Sequence, residues 1–98
     1  MRIAYADTTL ALLETDQAGM TQLPVAAIKS ARRRLTVLRA AKDDLSLKNW
    51  KSLHYETMKG NREGQRSVRV NNEYRMVFNL DEETDPQTIT VLMIEGYL

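Results

Sequence analysis

The stretch Ser67-Val68-Arg69-Val70-Asn71-Asn72-Glu73-Tyr74-Arg75-Met76-Val77-Phe78-Asn79-Leu80 leaves this chain few choices of fold. Two runs of period-two residues flank Asn71-Asn72, and strand side chains point alternately to opposite faces. Val68 and Val70 fall on one face of the first run, and Tyr74, Met76, Phe78 and Leu80 on one face of the second. Asparagine tolerates positive φ, so Asn71-Asn72 is expected to form the primed two-residue turn that matches strand twist in a hairpin. If the valines share a core with Tyr74 and Phe78, then Arg69 and Arg75 must share the opposite face. Upstream, Lys59-Gly60-Asn61-Arg62-Glu63-Gly64 reads as a tight glycine-bounded loop that sets Lys59 and Arg62 beside them, with Gln65-Arg66 leading into the strand. Guanidiniums on a rigid sheet beside a basic loop suit phosphate. Arginines on the solvent face of an antiparallel sheet also serve solubility alone, and the pattern does not choose.

Charge sharpens that question. Thirteen of the 14 Lys and Arg residues lie between Lys29 and Arg75, opposed there by Asp43, Asp44, Glu56, Glu63 and Glu73, a net of +8 inside a chain whose formal charge is +1. A basic middle with acidic ends suits a polyanion or an acidic partner protein. The 98 residues, 43% of them hydrophobic, describe one soluble domain over residues 1–98 with a modest core. Without cysteine there is no disulfide framework or Cys-based metal site, and a single histidine argues against a His-rich one. Met1 to Leu13 contains Asp7 and lacks a long apolar run behind a basic head, so neither a secretory leader nor a membrane span is expected, and a cytoplasmic location is.

Along the chain, Arg2 to Tyr5 suits a short strand. Asp7-Thr8-Thr9 can cap a short helix to about Glu14, broken at Ala18-Gly19. The main helix is expected from Pro24, with Ile28, Ala31, Leu35 and Leu38 as its apolar stripe and Lys29, Arg32, Arg33, Arg34, Arg39 and Lys42 on its other face. The triple arginine fits either nucleic acid or a solvated helix face. Asp43 to Asn49 reads as a loop or frayed turn with Leu45 and Leu47 tucking back, and Trp50 as a lid on the end of the core. Leu53 to Met58 reads as a strand with His54, Glu56 and Met58 on one face. Asp81 to Pro86 is an acidic turn, and Thr88 to Glu95 a nearly continuous apolar strand that should be covered on both faces. The fold expected is α+β: one or two N-terminal helices packed on a mainly antiparallel sheet of four or five strands.

Lys59 to Gly64, followed by Ser67-Val68-Arg69-Val70-Asn71 and Tyr74-Arg75-Met76-Val77-Phe78, resembles the HigB branch of the RelE/ParE toxins of bacterial type II toxin–antitoxin pairs. The similarity runs from about Ala27 to Phe78 and resumes in the last strand. It implies a RelE/ParE-like fold and a ribosome-dependent mRNA endonuclease, in which a ribose 2′-OH attacks the neighbouring phosphorus without a metal or small-molecule cofactor. It also implies a cognate antitoxin, a helix-turn-helix protein of the HigA type, beside the ribosome and mRNA as partners. By the same resemblance Arg75 would stabilise the phosphate, Lys59 and Arg69 would support it, Arg62 and Arg66 would add phosphate contacts, and Tyr97 would stack on or hydrogen-bond the substrate. Two departures bear on the chemistry. Glu56 occupies a column that holds histidine in many relatives, with His54 two residues earlier on the same expected face. The terminus reads Gly96-Tyr97-Leu98 where many relatives read Asp-Tyr-His, leaving only the α-carboxylate of Leu98 as a nearby acid. Tyr97 could also be a simple core-edge residue. Two alternatives keep the fold without the cleavage: a ParE-like toxin that poisons DNA gyrase, and a module that only binds its antitoxin.

Overall fold

The computed structural model describes residues 1–97. Five strands form one sheet in the order β1-β5-β4-β3-β2: β1 Arg2–Tyr5, β2 Glu56–Thr57, β3 Arg66–Arg69, β4 Tyr74–Asp81 and β5 Thr88–Gly96. Only β1 and β5 run parallel; the other neighbours are antiparallel. Helix α1, Val25–Ala40, covers one face, and a short α2, Asp44–Asn49, follows it. The α+β architecture expected from the pattern is therefore present. None of its helices is long and apolar enough to cross a membrane among the described residues.

The core lies between α1 and the sheet. Ile28, Ala31, Leu35 and Leu38, the expected stripe, are all buried, and they meet Val68, Met76, Phe78, Ile89 and Val91 from three adjacent strands, with Val70 just past the end of β3. Burying each large aliphatic or aromatic side chain favours folding by about 1.5–3 kcal/mol, so this row holds the helix on the sheet. Pro24 stands just before the first turn, and its carbonyl accepts the Ile28 N–H at 3.0 Å. The opposite face of α1 is tied to the protein itself. Arg32 donates to the carbonyls of Leu13 (2.6 Å) and Thr15 (2.8 Å), Arg39 pairs with Glu14, and Arg34 donates to the Arg69 carbonyl at 2.7 Å. Of the three consecutive arginines, only Arg33 is exposed, bonded to Ser30 one turn back.

Several local expectations change. The hairpin tip is Asn71-Asn72-Glu73, since both Val70 and Asn71 donate to the Tyr74 carbonyl (2.9 and 3.2 Å) and neither asparagine adopts positive φ. Instead the Asn71 side chain accepts the N–H groups of Glu73 and Tyr74, each at 2.9 Å, closing the turn by side chain rather than by left-handed backbone. A 3-10 helix forms at Leu10–Glu14 near where a short helix is expected, but a second one, Ala18–Thr21, runs across Ala18-Gly19 instead of breaking there. Asp43 accepts from Ser46 N and Oγ, both at 2.9 Å, and this cap makes α2 a helix rather than a loop. Within α2 Leu47 is buried but Leu45 is exposed, and Trp50 keeps 49% of its surface in water instead of covering the core. The strand expected from Leu53 shrinks to Glu56–Thr57, because Lys51–Leu53 is a 3-10 helix ending in His54 at φ 47°. In β5, Ile89 and Val91 are buried while Leu92, Met93 and Ile94 are only partly so, which leaves its second face partly open.

Candidate phosphate-binding site

The sheet's second face, opposite α1, carries buried Ser67 and Val77 in one row and a charged row beside them. Paired residues on neighbouring strands share a face, and Arg69, Arg75 and Glu95 are paired across β3, β4 and β5. A β-bulge determines the last of these. Phe78 pairs with Val91, whereas Val77 pairs with Met93, so Leu92 is an extra residue and the side-chain alternation of β5 reverses beyond it. Ile89 and Val91 face the core before the bulge; Ile94 faces it afterwards, and Glu95 is turned to the second face beside Arg75.

Glu95 is the most heavily bonded side chain there. Its Oε2 accepts Arg75 Nε at 2.9 Å and Nη2 at 2.6 Å. Arg62, reaching from the loop, donates to both oxygens, Nη1 to Oε2 at 2.6 Å and Nη2 to Oε1 at 2.8 Å. The Arg62 guanidinium foremost, then Arg75, hold the Glu95 carboxyl down at about 2, against the opposing effect of burial. Together with Met58, Lys59 and Gly96 these residues line a cleft of about 560 Å³. Gly60 (φ 70°) and Gly64 (φ 92°) supply the left-handed backbone that folds the loop over on itself.

On the other side of Arg75 lies Arg69. The Arg75 guanidinium carbon is 5.7 Å and that of Arg69 5.9 Å from the Tyr97 ring centroid, so one aromatic ring serves two cations. Tyr97 is held by its backbone N–H, which donates to the Glu73 carbonyl at 3.1 Å, and its side chain stays 40% exposed. Arg69 Nη1 lies 3.3 Å from His54 Nε2, and Arg69 Nε is buried without a hydrogen-bond partner among the described residues. Although β2 stops at Glu56, stepping back two residues from the Glu56–Ser67 pair brings His54 beside Arg69, completing a row of His54, Arg69, Arg75 and Glu95. Glu56 sits exposed on the same face, one row along, roughly 7 Å away by strand geometry.

The expected residues thus divide. His54, Arg69, Arg75 and Tyr97 come together; Lys59 and Arg62 flank them across the cleft; Glu56 is adjacent. Arg66, expected among the phosphate contacts, is placed elsewhere. It pairs with Phe78 on the helix-facing side of the sheet, and its guanidinium lies 3.1 Å from Glu82 and 3.5 Å from Asp44. Leu98, whose α-carboxylate is the nearby acid of the sequence, lies outside the described residues. Glu95 is the residue that sequence reasoning misses: at the end of an apolar strand, its alternation with Ile89 and Val91 points it to the core, and only the bulge corrects this. Among the described residues no three His, Asp or Glu side chains gather as a metal site would need.

A family model described as the HigB-like toxin, a RelE-like toxin of the type II toxin–antitoxin system HigB, matches residues 4–90, which include His54, Lys59, Arg69 and Arg75 but not Glu95 or Tyr97. Among solved structures the chain is similar to YafQ from E. coli strain BL21(DE3), with a TM-score of 0.67 and 10% identity over 99% of this chain and 94% of that one. It is also similar to the YoeB–YefM complex from Staphylococcus aureus (TM-score 0.57, 20% identity, 100% and 98% coverage). The YoeB/ParE toxin from Agrobacterium tumefaciens gives a TM-score of 0.55 and 15% identity, with 100% of both chains covered. At these identities the likeness is one of fold. Comparison with curated proteins by sequence gives no match.

Proposed function

We propose, for a chain that belongs to the HigB-like family of RelE-like toxins, that it is a ribosome-dependent mRNA endonuclease whose scissile phosphate is held by Arg75 and Arg69. The observation that carries this reading is the pair of guanidiniums on one sheet row, joined by Tyr97 and with His54 Nε2 at 3.3 Å from Arg69. Both guanidiniums lie against one aromatic ring; Arg75 is balanced by Glu95 while Arg69 meets no carboxylate among the described residues, and a doubly negative phosphorane would supply the missing counter-charge. The unpartnered Arg69 Nε is a donor that no protein group uses among the described residues.

In the reaction proposed, the ribose 2′-OH gives its proton to a base as O2′ bonds to phosphorus. The P–O5′ bond then breaks, and the 5′-oxygen takes a proton from an acid, leaving a 2′,3′-cyclic phosphate. Arg75 and Arg69 neutralise the charge that builds on the non-bridging oxygens. In this reading His54 is the base, supported by its position beside Arg69, with Glu56 one row away as the alternative, and Tyr97 stacks on or hydrogen-bonds the substrate. Lys59 and Arg62 hold the flanking backbone. The fold and family further suggest work in the cytoplasm under the control of a HigA-type antitoxin.

The test is mRNA cleavage on purified, programmed ribosomes by the native chain, Arg75→Ala and Tyr97→Phe. Losing a preorganised cation should lower the rate by about 100- to 1,000-fold. Intact message at high excess of the native chain overturns the reading. Occupation of Arg62 and Arg75 by Glu95 favours a second reading, a module that binds its antitoxin without cleaving RNA; tight antitoxin binding with no growth arrest would identify it. Growth arrest with gyrase binding would identify a ParE-like poison instead.

A further inference from the structure

We propose that Glu95 is the internal occupant of an anion site between Arg62 and Arg75, and that a backbone phosphate of bound single-stranded RNA takes its place. This rests on reading the cleft as a phosphate site, and not on whether cleavage follows.

The geometry is that of a captured anion. Arg62 grips both carboxylate oxygens fork to fork at 2.6 and 2.8 Å, and Arg75 approaches Oε2 side-on through two nitrogens at 2.9 and 2.6 Å. A phosphodiester presents the same two oxygens at similar spacing, and bidentate guanidinium bonding suits it equally. Four cations (Lys59, Arg62, Arg69 and Arg75) surround the region, and Glu95 is the one carboxylate bonded to any of them among the described residues. It relieves their repulsion while the cleft is empty of ligand. Its carboxyl, held at about 2, stays charged throughout the neutral range, so an incoming phosphate competes with an ionised carboxylate for the same donors.

The same contact tethers the basic loop. Around Gly60 to Gly64 the backbone hydrogen bonds are local, with Glu63 donating to Gly60, Gln65 to Arg62 and Met58 to Gln65. The Arg62–Glu95 pair, 33 residues apart in sequence, is the side-chain bond that holds this loop against β5. An incoming phosphate that displaces Glu95 would take over that bond and draw Arg62, and Lys59 with it, onto the RNA backbone. Free affinity is then low by construction, and it rises when Glu95 is neutralised.

The experiment is fluorescence-anisotropy binding of a short single-stranded RNA, without ribosomes, to the native chain, Glu95→Gln, Glu95→Ala, Arg75→Ala and the Arg75→Ala/Glu95→Gln double variant, over a range of salt. Removing the competing carboxylate should tighten binding by about tenfold, in line with hydrogen bonds to charged groups. One more phosphate contact should steepen the dependence of log K on log salt by about 0.7. Arg75→Ala should weaken binding and remove the benefit of Glu95→Gln. The alanine variant covers the case in which Gln keeps both guanidiniums bonded: tightening by either supports the proposal, tightening by neither overturns it. If neither variant tightens binding while Arg75→Ala still weakens it, Glu95 merely positions the arginines, and the phosphate-site reading survives alone. Binding indifferent to Arg75 sinks both.

Discussion

Replacing Glu95 by glutamine removes the carboxylate that Arg62 and Arg75 share, and its cost to stability follows from its titration. In the unfolded chain this carboxyl has the ordinary value of 4.5; in the folded protein it is held at about 2. Fully realised, that difference would favour the native state by at most roughly 3 kcal/mol at neutral pH. The Glu95 side chain keeps 21% of its surface in water and that of Arg62 37%, so solvent screening reduces the expected figure to about 1 kcal/mol. The sign in pH follows from the depressed value. Above pH 4.5 the carboxyl is ionised in both states and the whole contribution is present. As pH falls towards 2 the unfolded chain takes up the proton first, the advantage shrinks, and below about 2 it is gone. Urea unfolding followed by circular dichroism, on native and Glu95→Gln chains at several pH values, isolates this group from the other acids. The stability gap should be about 1 kcal/mol at pH 7 and close towards pH 2. A gap equal at pH 3 and pH 7, or no gap at pH 7, would refute the reasoning. The same substitution is expected to tighten RNA binding, so one residue would trade stability against ligand affinity.

Other perturbations separate site from scaffold. Leu38→Ala empties a fully buried position under the sheet and should cost about 2–5 kcal/mol in the same unfolding assay. Arg66→Ala, which breaks partly exposed pairs to Asp44 and Glu82, should cost under about 1 kcal/mol and leave ribosomal cleavage at the native rate; a loss of cleavage would return Arg66 to the site. Arg32→Ala should lower stability by about 1–2 kcal/mol through its two carbonyl bonds, whereas exposed Arg33→Ala should change it by less than about 0.5 kcal/mol. If His54 is the base, His54→Gln should slow cleavage by about 100- to 10,000-fold and Glu56→Gln by much less, measured as single-turnover rates on programmed ribosomes. The reverse order would move the base to Glu56.

Much of the scaffold is legible in the sequence because its signals are local. The α1 stripe and the alternation in β3 and β4 are periodic, and periodicity directly encodes which side chains meet a core. Alternation alone therefore puts Arg69 and Arg75 on one face, and the register between β3 and β4 bears this out. The triple arginine shows the limit of composition. Arg32 and Arg34 are spent on backbone carbonyls of the protein itself, a use that depends on which segments lie beside α1 in space. Trp50 suggests a core lid by its size alone, and nothing in its neighbours' sequence says that α2 turns it outwards.

What the sequence determined by itself was the α+β class, the helix stripe, the two-faced hairpin and the basic character of its outer face, because each follows from the order of apolar and charged residues along one segment. Only the tertiary structure decided that His54 lies against Arg69 despite leaving the strand, that Arg66 turns to Asp44 and Glu82, and that Glu95 occupies the arginines. The contacts of His54 and Glu95 depend on inter-strand register, and in β5 on one extra residue at Leu92 that reverses the alternation downstream. Arg66, by contrast, shares the face of Val68 by alternation, and only its partners depend on which segments lie beside it. Register is set by the packing of the whole sheet against its core, so a pattern read one strand at a time does not contain it.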